Sequence, residues 1–224
     1  MKRRLSNRRT EGLTLTEVIY SLAVIVVVVA AVLYPQLRPR RKGCHCRPSC
    51  VSNLKQVGLA FRMFSQDHGD KFPWAVSTNE GGTLEYADSA DVFRHFVAIS
   101  NELPSPKPLT CNGDVRRTKA SAWHQLTNNT DHLSYFVGLD ADESRPQTII
   151  SGDRNLTTNG KPALGVVTIS SGTVLGFTRE LHRTHGNIAL GDGSAQQVSN
   201  AELQKQTTAQ LQSGPTQFFR LALP

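Results

Sequence analysis

Apolar residues are distributed along this chain in three different ways. Across residues 13–34 the only charge is Glu17, and a helix of that length rises about 33 Å, more than the ~30 Å hydrocarbon core of a bilayer. That run predicts a membrane helix. Over residues 51–68 apolar side chains recur at three- and four-residue intervals instead, at Val51, Leu54, Val57, Phe61 and Phe64. This spacing predicts an amphipathic helix with one core-facing stripe, stopped by Gly69-Asp70. Further on, short β-prone runs at 135–137, 148–151, 166–169, 173–177, 187–190 and 194–198 are separated by Gly, Pro and Asn.

Two more helices follow from local signals. Asp88-Ser89 can cap a helix reaching about residue 101, with Val92, Phe93, Phe96 and Val97 inward. Ser199 with Glu202 makes a capping box for a last helix that ends at Gly214-Pro215. The sum is an α+β fold, a helix packed on a small antiparallel sheet. Between the membrane run and the amphipathic run, Pro35, Pro39, Gly43 and Pro48 interrupt any single continuous helix and predict a kink or hinge. The organisation is thus a leader at 1–12, a membrane helix at 13–34, a Pro/Arg/Cys-rich linker at 35–50 and an outer domain at 51–224.

Charge changes this picture less than its total suggests. The chain of 224 residues carries a net charge of +7, but residues 1–47 hold ten Lys/Arg against two Asp/Glu, which leaves residues 48–224 at −1. Basic residues flanking an apolar run serve topology and lipid headgroups, so no nucleic-acid partner is expected. Five basic residues precede the run (Lys2, Arg3, Arg4, Arg8, Arg9) and five follow it (Arg38, Arg40, Arg41, Lys42, Arg47), a tie for the positive-inside count. Four cysteines beside an export-type segment favour an oxidising compartment for the outer domain.

The leader is not that of an ordinary secretory signal, because no small-x-small cleavage site follows the apolar run. The distinctive residues precede it: a short basic peptide, then Gly12-Leu13-Thr14-Leu15-Thr16-Glu17. This resembles the type IV prepilin signal. The resemblance implies a membrane prepilin peptidase as partner, cleavage between Gly12 and Leu13, and N-methylation of Leu13; the family's commonest residue at that position is phenylalanine. It also implies a role for the acid. A charged residue at the bilayer centre costs on the order of 2.5–3.5 kcal/mol and less near the helix end. The new ammonium group of Leu13 can neutralise Glu17 of a neighbouring subunit or of its own chain. A signal anchor whose Glu17 reaches the headgroups is the plainer alternative.

The likeness extends through Cys50-Val51-Ser52-Asn53-Leu54-Lys55-Gln56-Val57-Gly58-Leu59-Ala60, "SQDHGDKFPW", "SYFVGLDADESRPQTIISGDRN" and "HRTHGNIALGDGSAQQV". These resemble a group of bacterial pseudopilin-like proteins, and His182 followed nine residues later by Asp192-Gly193 fits the motif called H-x9-DG. The resemblance implies a pilin-like fold, other pilin-like subunits as partners, an inner-membrane single-pass location and a periplasmic or extracellular outer domain.

Several groups suggest chemistry. His182, His185 and Asp192 could form a metal or hydrolytic set, but no Ser, Cys or Glu stands at a catalytic spacing. Asp192-Gly193 between two β-prone runs reads more simply as a hairpin turn, with His182 hydrogen-bonding across it. Neither a catalytic residue nor a cofactor is therefore assigned. Because some pseudopilins bind calcium, the resemblance adds a calcium alternative at Asp140, Asp142, Asp153 and Asp192, whose spacing is not that of a calcium loop. Cys44, His45, Cys46 and Cys50 are four zinc-competent groups, although C-x-C-x3-C is not a common zinc spacing. By family position the resemblance pairs Cys50 with Cys111 in a disulfide, worth roughly 3–5 kcal/mol in the chain-entropy picture. The function expected is a non-enzymatic fibre subunit. The alternatives are a membrane-anchored envelope binding protein that never polymerises and, last, an anchored hydrolase using His182 and Asp192.

Overall fold

The computed structural model describes residues 15–37, 46–128 and 131–224; the side chains of 31–37 and 46–48 fall outside that description. The chain divides into two compact units, Met1–Gly43 and Cys44–Pro224. The first contains helix α1, Leu15–Leu37, which continues past Pro35. Every described side chain on it, residues 15–30, is exposed. Those residues cover about 24 Å, and among the described residues no helix is long and apolar enough to cross a membrane.

The second unit is α+β. Helix α2 spans Cys46–Asp67, so it begins inside the segment assigned from sequence to the linker. Pro48 lies in its first turn, where the missing N–H breaks no helical bond. The expected kink or hinge between α1 and α2 falls on residues outside the description. The stripe predicted for α2 is present from Leu54 onward: Leu54, Val57, Phe61 and Phe64 are buried, while Val51 is half-buried. They pack with Tyr135, Val137, Ile150 and Ala189 in one hydrophobic core. Ring contacts from Phe61 to Trp74 and Phe96 extend that core beyond the helix.

Among the described residues nine strands follow: β1 Tyr135–Gly138, β2 Ile149–Asp153, β3 Leu156–Thr158, β4 Lys161–Pro162, β5 Gly165–Ser170, β6 Leu175–Phe177, β7 His185–Leu190, β8 Ala195–Ser199 and, after a further helix, β9 Phe218–Leu223. Six form an antiparallel sheet in the order β5-β9-β1-β2-β7-β8, and three form a second sheet in the order β4-β3-β6. Alternation along a strand sends successive side chains to opposite faces. Tyr135 and Val137 thus join the α2 core, while Phe136 of the same strand enters a second core with Ile149, Ile188, Leu190 and Leu203. Leu203 belongs to α3, Asn200–Ser213, whose capping box at Ser199 and Glu202 is formed at both bonds. The large sheet therefore has a helix over each face, where the sequence suggested one helix on one sheet.

The helix predicted from Asp88 to about residue 101 is a correction. Only Phe93–Val97 is α-helical, flanked by turns. Val92 and Phe96 are buried, but Phe93 is half-buried and Val97 exposed. The α-helical segment stops after little more than one turn although Ile99 and Leu103 beyond it are buried as well, so the turns that follow it still carry apolar side chains inward. Ser89 accepts a hydrogen bond from the backbone N–H of Asp91, a local turn.

His95 in this short helix is fully buried, with Nδ1 2.7 Å from the Thr83 hydroxyl. Burial drives its pKa down to about 4. An unfolded histidine titrates near 6.5, so the unfolded chain takes up this proton first as pH falls. Stability from the neutral imidazole is complete above pH ~6.5 and is lost as pH drops toward 4, by about 3 kcal/mol across that window. His95→Gln should flatten this part of the pH–stability curve in urea unfolding. Equal acid sensitivity in both proteins would contradict it.

Candidate functional site

The residues singled out from sequence are dispersed by the fold. Gly12, Leu13, Cys44 and His45 lie outside the described residues, as does the side chain of Cys46. Glu17 sits in the first turn of α1 and is exposed.

His182 and Asp192 do not meet across a turn, which corrects the bond expected between them. His182 precedes β7 and Asp192 follows it, so six strand residues, about 20 Å, intervene. The turn after β7 is held by other groups. The Leu190 N–H donates to the Ser194 carbonyl, the Ser194 N–H donates to Asp192 Oδ1, and Arg62 Nη1 donates to the Asp192 carbonyl at 2.8 Å. The left-handed backbone falls on Gly193, φ +79°. That is where the Asp-Gly dipeptide earns its place in the loop.

The four aspartates considered for calcium do not converge either. Asp140 accepts from the backbone N–H, Nε and Nη2 of Arg220. Asp142 Oδ1 caps Ser144, Asp192 caps Ser194, and Asp153 is buried elsewhere. Each carboxylate already serves a separate piece of chain.

What the fold does assemble is a buried cluster around a disulfide. Cys50 in α2 is bonded to Cys111, 61 residues away, with Cα atoms 5.2 Å apart. His182, 2% exposed, places Nε2 3.2 Å from Cys111 Sγ and 3.5 Å from Asp153 Oδ2. Two local features seat that ring. Arg183 turns the chain sharply with φ +66°, and His182 bridges to His185. Gly113 faces the imidazole so closely that an added Cβ would meet Cε1 at 3.1 Å. The Gly113 N–H also points at Cys111 Sγ, 3.4 Å away.

Asp153, at the end of β2, is fully buried. Burial pushes its carboxyl up to about 7, against two hydrogen bonds to Oδ2 from the backbone and side-chain amides of Asn187. Its other oxygen, Oδ1, meets no hydrogen-bond partner among the described residues.

A charged network lies beside the cluster. Arg154 holds Asp114 with Nε to Oδ2 at 2.7 Å and Nη2 to Oδ1 at 2.9 Å, and reaches Glu180 as well. Ser134 donates to Asp114 Oδ2. Burial alone would raise the Asp114 pKa, but the bonds from Arg154 and Ser134 prevail and hold it below the ordinary carboxylate value.

Sequence reasoning named Asp153 only for calcium, and it did not place Asp153 or Cys111 beside His182. Those contacts span 29 and 71 residues, and no local pattern encodes them. No family model, curated protein or solved structure matches this chain.

Proposed function

We propose that this chain is a prepilin- or pseudopilin-like structural subunit. It enters the inner membrane as a precursor, is cut by a prepilin peptidase between Gly12 and Leu13, is methylated at Leu13, and joins a pilus-like or type II secretion fibre. The outer domain then stands on the periplasmic or extracellular side, anchored by one pass. The observation that supports this most is the state of α1. Val24, Ile25, Val26 and Val27 are each more than half exposed, and every other described side chain of the helix is exposed as well. An apolar face of that extent is stable only against lipid or other apolar helices.

The basic leader, the six-residue signal at the cut and the single acid five residues into the mature chain add to the same reading. A helix packed on an antiparallel sheet suits a stem-and-head subunit, with α2 as stem and the six-stranded sheet as head.

The rival is an anchored binding protein that stays single. It draws on an open cavity of about 470 Å³ lined by Trp74, Leu139, Asp140, Arg145, Phe218 and Arg220. Cross-linking separates the two readings. With Cys44 and Cys46 replaced by serine, Leu22→Cys and Val29→Cys introduced together should give, under oxidant in native membranes, a ladder of covalent multimers. A lone monomer band would select the binding protein.

A further inference from the structure

The disulfide cluster carries three metal-ligating side chains that were not grouped by their positions in the sequence. One donor atom each from Cys50, Cys111 and His182 lie within 4.8 Å of one another, and all three residues are buried. Zinc bonds of ~2.3 Å to sulfur and ~2.0–2.1 Å to nitrogen or oxygen give tetrahedral edges of roughly 3.3–3.6 Å between unlike ligands. The contact from Cys111 Sγ to His182 Nε2 is 3.2 Å and that from His182 Nε2 to Asp153 Oδ2 is 3.5 Å. We propose that, once the Cys50–Cys111 bond is reduced, Cys50, Cys111 and His182 bind one zinc ion.

The surroundings are those of a metal-bound thiolate. The Gly113 N–H is aimed at Cys111 Sγ, a hydrogen bond that stabilises sulfur carrying negative charge. Asp153 lies next to this set, its Oδ2 3.5 Å from His182 Nε2 and held by two N–H groups of Asn187.

The chemistry balances. A dithiol reductant gives two electrons and two protons to the Cys50–Cys111 bond and leaves as its own disulfide, so two thiols form. Zinc then takes both sulfurs as thiolates and releases two protons. In both states the start of α2 stays tied to the segment around Cys111, by a covalent bond when oxidised and through the metal when reduced.

Cobalt(II) is the probe for the test, since thiolate ligation gives it a near-ultraviolet charge-transfer band and a tetrahedral shell gives strong visible bands. Full-length protein with Cys44→Ser and Cys46→Ser is reduced by a dithiol, freed of it without oxygen, and titrated. The expected result is one Co2+ per chain with both band sets, displaced by one equivalent of Zn2+, and no such bands in the oxidised protein. His182→Ala should weaken binding by more than about tenfold. If that variant misfolds, His182→Gln is used, and the reduced parent decides without any variant. Three results would overturn the proposal: no charge-transfer band in the reduced parent, a band unchanged by loss of His182, or a reduced chain left unfolded after metal is added.

Discussion

With Glu17→Ala, the covalent ladder expected from the α1 cysteine pair should collapse to monomer, while membrane insertion and removal of the leader continue. The change makes the helix more apolar, so insertion becomes easier. What it deletes is the proposed counter-charge for the ammonium group of Leu13 in the next subunit. In a low-dielectric medium that pairing is strong, and leaving one partner alone costs several kcal/mol. Assembly should therefore fall by two orders of magnitude or more. Glu17→Asp, which keeps the charge on a shorter arm, should retain part of the ladder. A full ladder in Glu17→Ala would show that apolar contact alone drives association.

The largest effect on folding should come from Arg154→Met. The Asp114 side chain is 0% exposed and that of Arg154 10%. Removing the guanidinium strands a buried carboxylate with only the Ser134 hydroxyl and the Arg116 N–H still donating to it. Breaking a buried pair in this way typically costs about 3–5 kcal/mol. Asp114 then shifts from below the ordinary carboxylate range to above it, because burial is no longer opposed by Arg154. The sign of its pH effect reverses. In the parent, its contribution is present above the ordinary carboxylate pKa and lost as pH falls through the depressed native value. In the variant, protonation relieves the buried charge, so the deficit is largest at neutral pH and shrinks on acidification. Asp114→Asn combined with Arg154→Met should recover most of the loss. Urea unfolding measures all three, and a neutral-pH deficit under 1 kcal/mol would contradict the burial argument.

The parts of the fold readable from sequence are those in which a local period meets a local stop. The stripe of α2 and the Ser199–Glu202 box of α3 are both of that kind. β9 was missed although its pattern is clear in retrospect, with Phe219, Leu221 and Leu223 buried and Phe218 exposed. It follows directly on a helix end, and its partners β1 and β5 lie far away in sequence and place it inside the sheet. The strands at Leu156–Thr158 and Lys161–Pro162 were missed because each is too short for alternation to register.

The nine-residue spacing between His182 and Asp-Gly was misread for a related reason. Closeness in sequence suggested contact, but a strand is the most extended way to use six residues. The disulfide cluster shows the converse. Its members come from α2, the segment at Cys111, β2 and the approach to β7, so only the assembled fold brings them together.

The processing step on which the proposed assembly depends is read most directly from the mature amino terminus. Mass spectrometry of protein isolated from its native envelope should find a chain beginning at methylated Leu13. A chain that retains Met1 through Gly12, or that begins well after Leu13, would contradict it.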